Sequence, residues 1–216
     1  MEYDEVRLLQ HRLVELRARD LVPDTVLFLE HKPVITRGRG LQLAGSTRVR
    51  HMPLPERLPR DIRFSESERG GDLTYHGPGQ LVVYPICKLG GSNLINRDVT
   101  AFIRMLERIV ISLVDGFGIH AEAAREGASG VWVGTRKIAS IGIAVKKWVT
   151  YHGIAINCVN DMEPFSLISP CGFSPETMVR LSDLLSDGST LWDEFARDWR
   201  GAVEKRLSVL MAGWGS

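Results

Sequence analysis

Cys171 has the chemistry of a nucleophile and lies in a Ser-Pro-Cys-Gly turn at residues 169–172. The flanking proline and glycine favour a constrained turn that can present a thiol outward. A cysteine attacks as the thiolate, so a catalytic thiol requires a nearby cation, imidazole or helix N-terminus to lower its pKa from about 8.5. Taken alone, the turn leaves open whether Cys171 is catalytic. The other cysteines, Cys87 and Cys158, each follow an apolar run, and we expect both to be buried and inert.

The stretch from Arg69 to Gln80 concentrates polar side chains among four glycines and a proline. We expect a loop here rather than a helix or strand, because glycine leaves the backbone unrestrained and proline removes a hydrogen-bond donor. The apolar run Leu81–Ile86 that follows predicts a buried strand, which would hold the loop in a fixed place. A glycine-rich connection with no function is the alternative.

The remaining chain predicts helices at both ends and in the middle, with strands clustered between them. The first helix ends near Asp20, and its apolar stripe is formed by Val6, Leu9, Leu13 and Leu16. The second helix starts at the N-cap Asp98 and ends at Gly116. The third helix starts at Thr190 and carries the apolar residues Phe195, Trp199, Val203 and Leu207. Strands are predicted at 25–30, around 62–64, and at 81–86, 130–133, 137–145 and 151–157, with a hairpin turn at 134–136. This order indicates an α+β protein.

Composition limits the possible classes of protein. The length of 216 residues fits one large domain, here 1–216, and the net charge of +1 gives no argument for nucleic acid. No apolar run approaches the roughly 20 residues that span a bilayer, and the acidic start is unlike a signal peptide, so we expect a cytoplasmic protein with no membrane contact. Three cysteines without C-x-x-C and six histidines without H-E-x-x-H predict neither a disulfide framework nor a metal site.

Four motifs in the chain resemble those of the lipoyl(octanoyl) transferases. They are Arg-Gly-Gly-x-x-Thr-Tyr-His-x-x-Gly-Gln from Arg69, Lys-Ile-x-Ser-x-Gly from Lys137, His-Gly-x-Ala-x-Asn from His152, and Pro-Cys-Gly around Cys171. The motifs occur in the family's order over most of the chain, from about Glu30 to Gly172.

The resemblance implies a fold, an activity and its partners. The fold would be the single domain of the biotin and lipoate ligase type, a mixed β-sheet flanked by α-helices. The enzyme would transfer an octanoyl group from octanoyl-acyl carrier protein to a lysine of lipoyl domains, on 2-oxoacid dehydrogenases and on the glycine cleavage H protein. No cofactor and no metal are implied, and we expect a monomer.

The resemblance also implies roles for individual residues. Cys171 would be the nucleophile and Lys137 its partner, although the local sequence of Lys137 alone favours a solvated hairpin residue. Small side chains on two strands would leave room for the acyl chain, and His76 is assigned to binding rather than to catalysis. The predicted acyl-binding residues are Arg69, Gly70, Gly71, Asp72, Leu73, Thr74, Tyr75, His76, Ser140, Ile141, Gly142, Gly153, Ile154 and Ala155.

Other functions compete with this interpretation. An ATP-dependent ligase of the same fold would need an adenylate site, and the basic, glycine-rich residues Thr36–Gly40 are similar to the phosphate-binding loop of biotin ligases. In the transferases the same place would be a turn beside the acyl pocket. A protein that only binds an acyl chain and a cysteine hydrolase are further alternatives.

Overall fold

The computed structural model describes residues 1–42, 49–50, 54, 56–90, 97–123, 129–169, 174–185 and 190–212. Within this part of the chain the α-helices are α1 (Tyr3–Ala18), α2 (Val99–Asp115), α3 (Thr190–Arg197) and α4 (Trp199–Ala212). Within the same ranges, short 3-10 segments follow the last strand at Glu163–Leu167, Pro175–Thr177 and Leu181–Asp183.

The strands of the described residues form two sheets. Their bounds are β1 (Thr25–Leu29), β2 (Val34–Gln42), β3 (Val49–Arg50), β4 (Arg63–Glu66), β5 (Gly71–His76), β6 (Gln80–Ile86), β7 (Glu122–Ala123), β8 (Gly130–Val133), β9 (Arg136–Lys146) and β10 (Val149–Asn157). The large sheet has the order β1-β6-β10-β9-β8-β7, and every neighbouring pair in it is antiparallel. In the small sheet, β2 pairs with β3 and β5 in antiparallel fashion and with β4 in parallel.

Helices cover both faces of the large sheet. Because side chains alternate along a strand, β6 sends Leu81 and Val83 into a core shared with α2 and α4, and Val82 and Tyr84 into a core shared with α1. A third apolar cluster packs the small sheet against the 3-10 segment at Glu163–Leu167. The predicted α+β architecture, with a mixed sheet and flanking helices, is confirmed.

Elements with strong local determinants were predicted correctly. The side chain of Asp98 caps α2 by accepting a hydrogen bond from the backbone N–H of Ala101 at 3.0 Å, and the helix ends at Gly116. Gly134 takes a positive φ of 60° in the turn between β8 and β9, as the hairpin requires.

Two predicted loops are strands instead. The first half of the Arg69–Gln80 stretch forms β5, because Leu73 to His76 find hydrogen-bonding partners on β2, far away in sequence. Residues Thr36–Gly40, predicted to be a turn or a phosphate-binding loop, belong to β2 itself. A bulge between Arg37 and Gly40 accommodates the glycines within the pairing.

Two predictions about helices were also wrong. Of the predicted stripe on α1, Val6 is buried and Leu13 packs against the core, but Leu9 is 41% exposed and the buried side adds Tyr3, Gln10 and Val14. At the C-terminus two helices replace one. Asp198 starts the second helix by accepting a hydrogen bond from the N–H of Gly201 at 2.9 Å, so it acts as an N-cap in the middle of the predicted helix.

None of the helices in the described ranges is long and apolar enough to cross a membrane.

Candidate active site

Lys137 is buried, although its sequence neighbours favoured a solvated residue. It is the second residue of β9 and is 3% exposed. Val131 pairs with Ala139 while Trp132 pairs with Lys137, so β9 carries one extra residue, Ile138, at this point. Such a bulge changes the direction of a side chain relative to regular alternation. The Nζ atom of Lys137 lies 5.6 Å from the centre of the Trp132 ring.

The segment that contains Cys171, residues 170–173, lies outside the described residues. The chain that follows it runs beside Lys137: Met178 forms a parallel bridge with Lys137, and the N–H of Val179 donates to the Lys137 carbonyl at 3.1 Å. Ile168, which precedes the segment, is buried in the same apolar cluster as Met178. The chain after the segment is therefore fixed beside the start of β9, and the chain before it packs in a cluster that includes Met178.

Arg69 is a buried cation whose guanidinium is engaged by hydrogen bonds. Its Nη2 donates to the carbonyl and hydroxyl oxygens of Thr36, both at 2.8 Å, and to the carbonyl of Asp72 at 2.7 Å. Its Nη1 donates to the carbonyl of Gly70 at 3.1 Å. These bonds tie β2 to the start of β5, so Arg69 holds the backbone of its own motif in place.

The glycines of the first motif approach the second motif closely. The N–H of Gly70 donates to the carbonyl of Ile143 at 3.0 Å, and a Cβ on Gly142 would lie 2.8 Å from the carbonyl oxygen of Gly70. A side chain at Gly142 would therefore push Gly70 away from β9. Gly71 has a φ of 79°, which L-amino acids with side chains rarely adopt.

The predicted acyl-binding residues of the second and third motifs are direct neighbours. Ser140, Ile141 and Gly142 of β9 stand opposite Ala155, Ile154 and Gly153 of β10. Gly153 is required because a Cβ there would overlap the carbonyl oxygen of Val83 on the next strand. Three sequence motifs that are separated along the chain thus meet in one region.

The alternation of β5 separates the residues predicted from the first motif. Leu73 and Tyr75 pack in the apolar cluster of the small sheet, where the Tyr75 ring meets Phe165 edge-on at 5.6 Å. His76 instead lies among aromatic rings that include Tyr3, at a centroid distance of 6.2 Å. Asp72 is fully buried, and Thr74 is 6% exposed.

A cluster of buried rings surrounds His76, and sequence reasoning missed most of it. We call it the histidine–tyrosine cluster, formed by Tyr3, His31, His76, Tyr84 and His152, with centroid distances of 5.1 to 6.5 Å. The Nε2 atom of His31 is 2.8 Å from the Tyr84 hydroxyl, and the Tyr3 hydroxyl donates to Ser67 at 2.8 Å. Tyr3 and His31 are isolated in the sequence, and the only signal for His31 is its place between a predicted strand and a proline.

The histidines of this cluster are held in the neutral form. Burial lowers the pKa of His31 to about 4, and burial also lowers the pKa of His152 to about 4 against the opposing hydrogen bond to Glu68. Burial, together with the neighbouring His31, lowers the pKa of His76 well below its ordinary value of about 6.5. At neutral pH these side chains therefore donate and accept hydrogen bonds without carrying charge.

His152 also has an unusual backbone conformation. Its φ of 58° is uncommon for a residue with a side chain. The His152 N–H donates to the side-chain oxygen of Gln10 at 2.7 Å, which explains why the buried side of α1 includes a glutamine. Nε2 of His152 lies 3.3 Å from the Glu68 carboxylate. Strain of this kind is often concentrated at functional sites.

A hydrogen-bond network connects the cluster to Lys137. The Gln80 amide donates to the Tyr75 carbonyl at 3.1 Å and to Asn157 Oδ1 at 2.9 Å, so its oxygen faces His76 Nδ1 at 2.8 Å. This assigns the proton of His76 to Nδ1 and leaves a lone pair on Nε2. Asn157 in turn donates to the Val179 carbonyl at 3.1 Å, and Val179 is the residue whose N–H bonds to Lys137.

The remaining cysteines are as predicted. Cys87 and Cys158 are both buried, and burial raises the pKa of the Cys158 thiol to about 12. Burial likewise raises the pKa of Cys87. Among the described side chains, no group of three His, Cys, Asp or Glu residues has an arrangement that would hold a metal ion.

Comparison with known proteins places this architecture in a family. Residues 2–198 match the model of the lipoyl protein ligase A/B catalytic domain. The chain is 42% identical to an octanoyltransferase of Syntrophobacter fumaroxidans over 98% of its own length and 94% of the relative. The chain belongs to the octanoyltransferase family. An octanoyltransferase of Caldicellulosiruptor bescii is 45% identical over 88% of this chain and 80% of the relative. The resemblance seen in the motifs is thereby confirmed, and the enzyme class is acyltransferase.

Solved structures agree on the fold. A lipoate-protein ligase A bound with ATP superposes with a TM-score of 0.63 and 18% identity, covering 94% of this chain and 81% of that chain. A putative lipoate protein ligase from T. acidophilum with bound lipoic acid gives a TM-score of 0.62 and 16% identity, with the same two coverages. At this level of identity the likeness establishes the shared fold alone.

Proposed function

We propose that the protein transfers an octanoyl group from octanoyl-acyl carrier protein to the ε-amine of a lysine on lipoyl domains, through a thioester on Cys171. The acceptors would be the lipoyl domains of 2-oxoacid dehydrogenases and the glycine cleavage H protein, and the reaction would supply lipoate biosynthesis. The observation that carries the mechanism is the burial of Lys137, 3% exposed, beside the chain that flanks Cys171. A charge acts more strongly on its neighbours in a buried setting than in water.

The first half-reaction would form the acyl-enzyme. The Cys171 thiolate attacks the thioester carbonyl of the donor, a carbon–sulfur bond forms, and the tetrahedral intermediate expels the carrier's thiolate. That thiolate takes a proton from the Lys137 ammonium, which leaves Lys137 neutral for the second half-reaction. In this scheme the Lys137 ammonium favours the thiolate of Cys171 by its positive charge.

The second half-reaction would discharge the enzyme. The neutral amine of the acceptor lysine attacks the Cys171 thioester, a carbon–nitrogen bond forms, and the thiolate of Cys171 leaves. The proton lost by the amine passes to a basic group, for which a deprotonated Lys137 is the candidate. Aminolysis rather than hydrolysis is productive only if water is kept from the thioester, which fits the buried setting of Lys137.

The acyl chain would lie where the motifs meet. The residues proposed to line it are Arg69–His76 of the first motif with Ser140–Gly142 and Gly153–Ala155 on β9 and β10. Each buried methylene contributes about 0.8 kcal/mol, so the depth of this site would select for chain length. The neutral state of the neighbouring histidines is compatible with an apolar ligand, because an uncharged ring costs less to keep away from water than a charged one.

Intact-protein mass spectrometry tests the proposal. After mixing with octanoyl-acyl carrier protein, the wild type should gain the mass of one octanoyl group and Cys171→Ala should gain none. Addition of an apo lipoyl domain should discharge the adduct onto that domain. An adduct that forms without Cys171, or turnover that requires ATP, would contradict the covalent mechanism and favour a ligase.

Further features of this function stay predictions from the sequence. They are the action of residues 1–216 as one catalytic domain, the monomeric state, the cytoplasmic location, and the independence from a metal or cofactor.

A further inference from the structure

Glu107 is a carboxylate buried in an otherwise apolar helix face. It is 1% exposed, and the other buried residues of α2 are Phe102, Leu106, Ile109, Val110, Leu113 and Val114. Removing an ionised carboxylate from water costs several kcal/mol unless partners compensate it. Packing of α2 against the large sheet does not require this residue type, so its partners indicate its role.

One carboxylate oxygen faces the surface and the other faces the sheet. Oε2 accepts a hydrogen bond from Nη1 of Arg104 at 2.8 Å, and the Arg104 side chain is 51% exposed. Oε1 accepts a hydrogen bond from the backbone N–H of Gly130 at 3.1 Å. Glu107 therefore fixes the first residue of β8 from the helical layer.

Gly130 lies directly against the side chain of Lys137. A Cβ on Gly130 would lie 2.5 Å from Cε of Lys137 and 3.1 Å from its Nζ. The φ of Gly130 is 148°, a conformation that favours glycine. The backbone of Gly130 thus forms a wall for the end of the lysine side chain, and any shift of Gly130 moves that wall.

Trp132 lies two residues further along β8. Its ring centre is 5.6 Å from Nζ of Lys137, within reach of a cation–π interaction. The start of β8 consequently contacts the amine through both Gly130 and Trp132. The hydrogen bond that the N–H of Gly130 donates to Glu107 ties this part of β8 to α2.

We propose that Glu107 is a positioning residue for Lys137 and acts through the backbone of Gly130. The inference rests on the proposed function, because it takes Lys137 to be the partner of Cys171. Loss of the carboxylate releases Gly130, displaces the amine and weakens its effect on the thiol, while the chemistry of Lys137 itself is unchanged.

The test is the pH dependence of Cys171 alkylation by iodoacetamide, followed by peptide mass spectrometry on the free enzyme. Glu107→Leu has no oxygen to accept the hydrogen bond of the Gly130 N–H. In this variant the midpoint of the alkylation rate against pH should rise by about one pH unit, and alkylation at pH 7 should slow about tenfold. Glu107→Gln keeps an acceptor for the Gly130 N–H and should stay within about threefold of the wild type. Octanoyl transfer should follow the same order.

Two controls separate positioning from stability. Val110→Ala removes buried packing from the same helix and keeps the Glu107 carboxylate that accepts from Gly130, so it should lower the melting temperature and leave the alkylation profile unchanged. If Glu107→Leu does not yield folded protein, Glu107→Asp replaces it, because the shorter side chain withdraws the carboxylate from Gly130. A wild-type alkylation profile in folded Glu107→Leu, or in Glu107→Asp, overturns the inference.

Lys137→Met distinguishes failure of the inference from failure of the proposed function. A shifted profile in Lys137→Met with a wild-type profile in the Glu107 variants removes only the positioning role. An unshifted profile in Lys137→Met removes the Cys171–Lys137 pair, and the role of Glu107 falls with it.

Discussion

Arg69 and Lys137 are both buried cations, and the protein holds them in different ways. Hydrogen bonds to three backbone carbonyls and a hydroxyl fix the guanidinium of Arg69 between β2 and β5. The side chain of Lys137 packs against Gly130, and its Nζ atom lies 5.6 Å from the centre of the Trp132 ring. We therefore expect Arg69 to support the fold around the site and, under the proposed function, Lys137 to act in the chemistry. Substitutions should therefore separate stability from activity.

Replacing Lys137 should have the largest effect on activity and little effect on stability. In Lys137→Met a side chain of similar length stays in the same place, and we expect octanoyl transfer to fall about 10²- to 10⁴-fold, as for loss of a group that assists proton transfer. Urea unfolding should show little change in stability, since a methionine of similar volume keeps the packing.

Lys146 provides the matched control. It lies on the same strand, is exposed, and pairs with Glu15 at 3.0 Å. Lys146→Met should keep wild-type activity. Activity of Lys137→Met within a few fold of the wild type would remove the distinction between the two cations.

Replacing Arg69 should mainly reduce stability. Arg69→Met leaves several buried carbonyls without their donor, and we expect the free energy of unfolding to fall by about 3–5 kcal/mol. Urea unfolding measures this, with Arg63→Met as the control because the Arg63 side chain is 71% exposed and its ion pair with Glu2 lies at the surface. Normal stability with lost activity would instead place Arg69 with Lys137 in the chemistry.

The histidine–tyrosine cluster should make stability fall in mild acid. The pKa of His31 and of His152 is about 4 in the folded protein and about 6.5 when unfolded, so between these values the unfolded chain binds more protons. The stabilisation is complete above pH 6.5 and is lost as the pH falls toward 4, by up to about 3 kcal/mol per histidine.

Urea unfolding at several pH values between 7.5 and 4.5 checks this expectation. His31→Gln should flatten the dependence, and His120→Gln, at a side chain that is 85% exposed, should not change it. A stability that does not vary across this range would show that the cluster is not held neutral by the fold.

The smallest expected effect tests whether the histidine–tyrosine cluster is linked to the region of Lys137 by the hydrogen bonds of Gln80 and Asn157. Gln80→Leu removes the partners of His76 and Asn157 and should cost about 1–3 kcal/mol of unfolding free energy. In a double-mutant cycle, Gln80→Leu and Asn157→Leu should be non-additive by at least about 0.5 kcal/mol, because they share a hydrogen bond. If the two substitutions have additive effects on both stability and octanoyl transfer, these hydrogen bonds do not couple the histidine–tyrosine cluster to the region of Lys137.

Much of the fold was predictable because its determinants are local. The capping side chain of Asp98, the turn at Gly134 and the apolar run of β6 each act over a few residues. β5 was not predictable in this way, because its glycine-rich sequence is extended only through pairing with β2. The buried side of α1 was misplaced since Gln10 is selected by the backbone of His152, which is distant in sequence.

The site was predictable as far as motifs describe it. Four motifs identified the family and the candidate residues, and the pairing of β9 with β10 then brings two of the motifs together. The burial of Lys137 depends on a bulge and on Gly130, neither of which the hairpin sequence indicates. Tyr3 and His31 contribute single side chains without a pattern. The geometry of Cys171 lies outside the described residues.

The pairing of β6 has a consequence for how the chain is made. Its partners are β1 and β10. In the sequence, β2 to β5 separate β1 from β6, and α2 and the β8–β9 hairpin come before β10. During synthesis β6 therefore emerges with one edge unpaired and apolar side chains on both faces, and that edge is completed only when residue 157 has left the ribosome. Contacts of such long sequence separation make folding slow, and an exposed apolar edge invites aggregation in the interval.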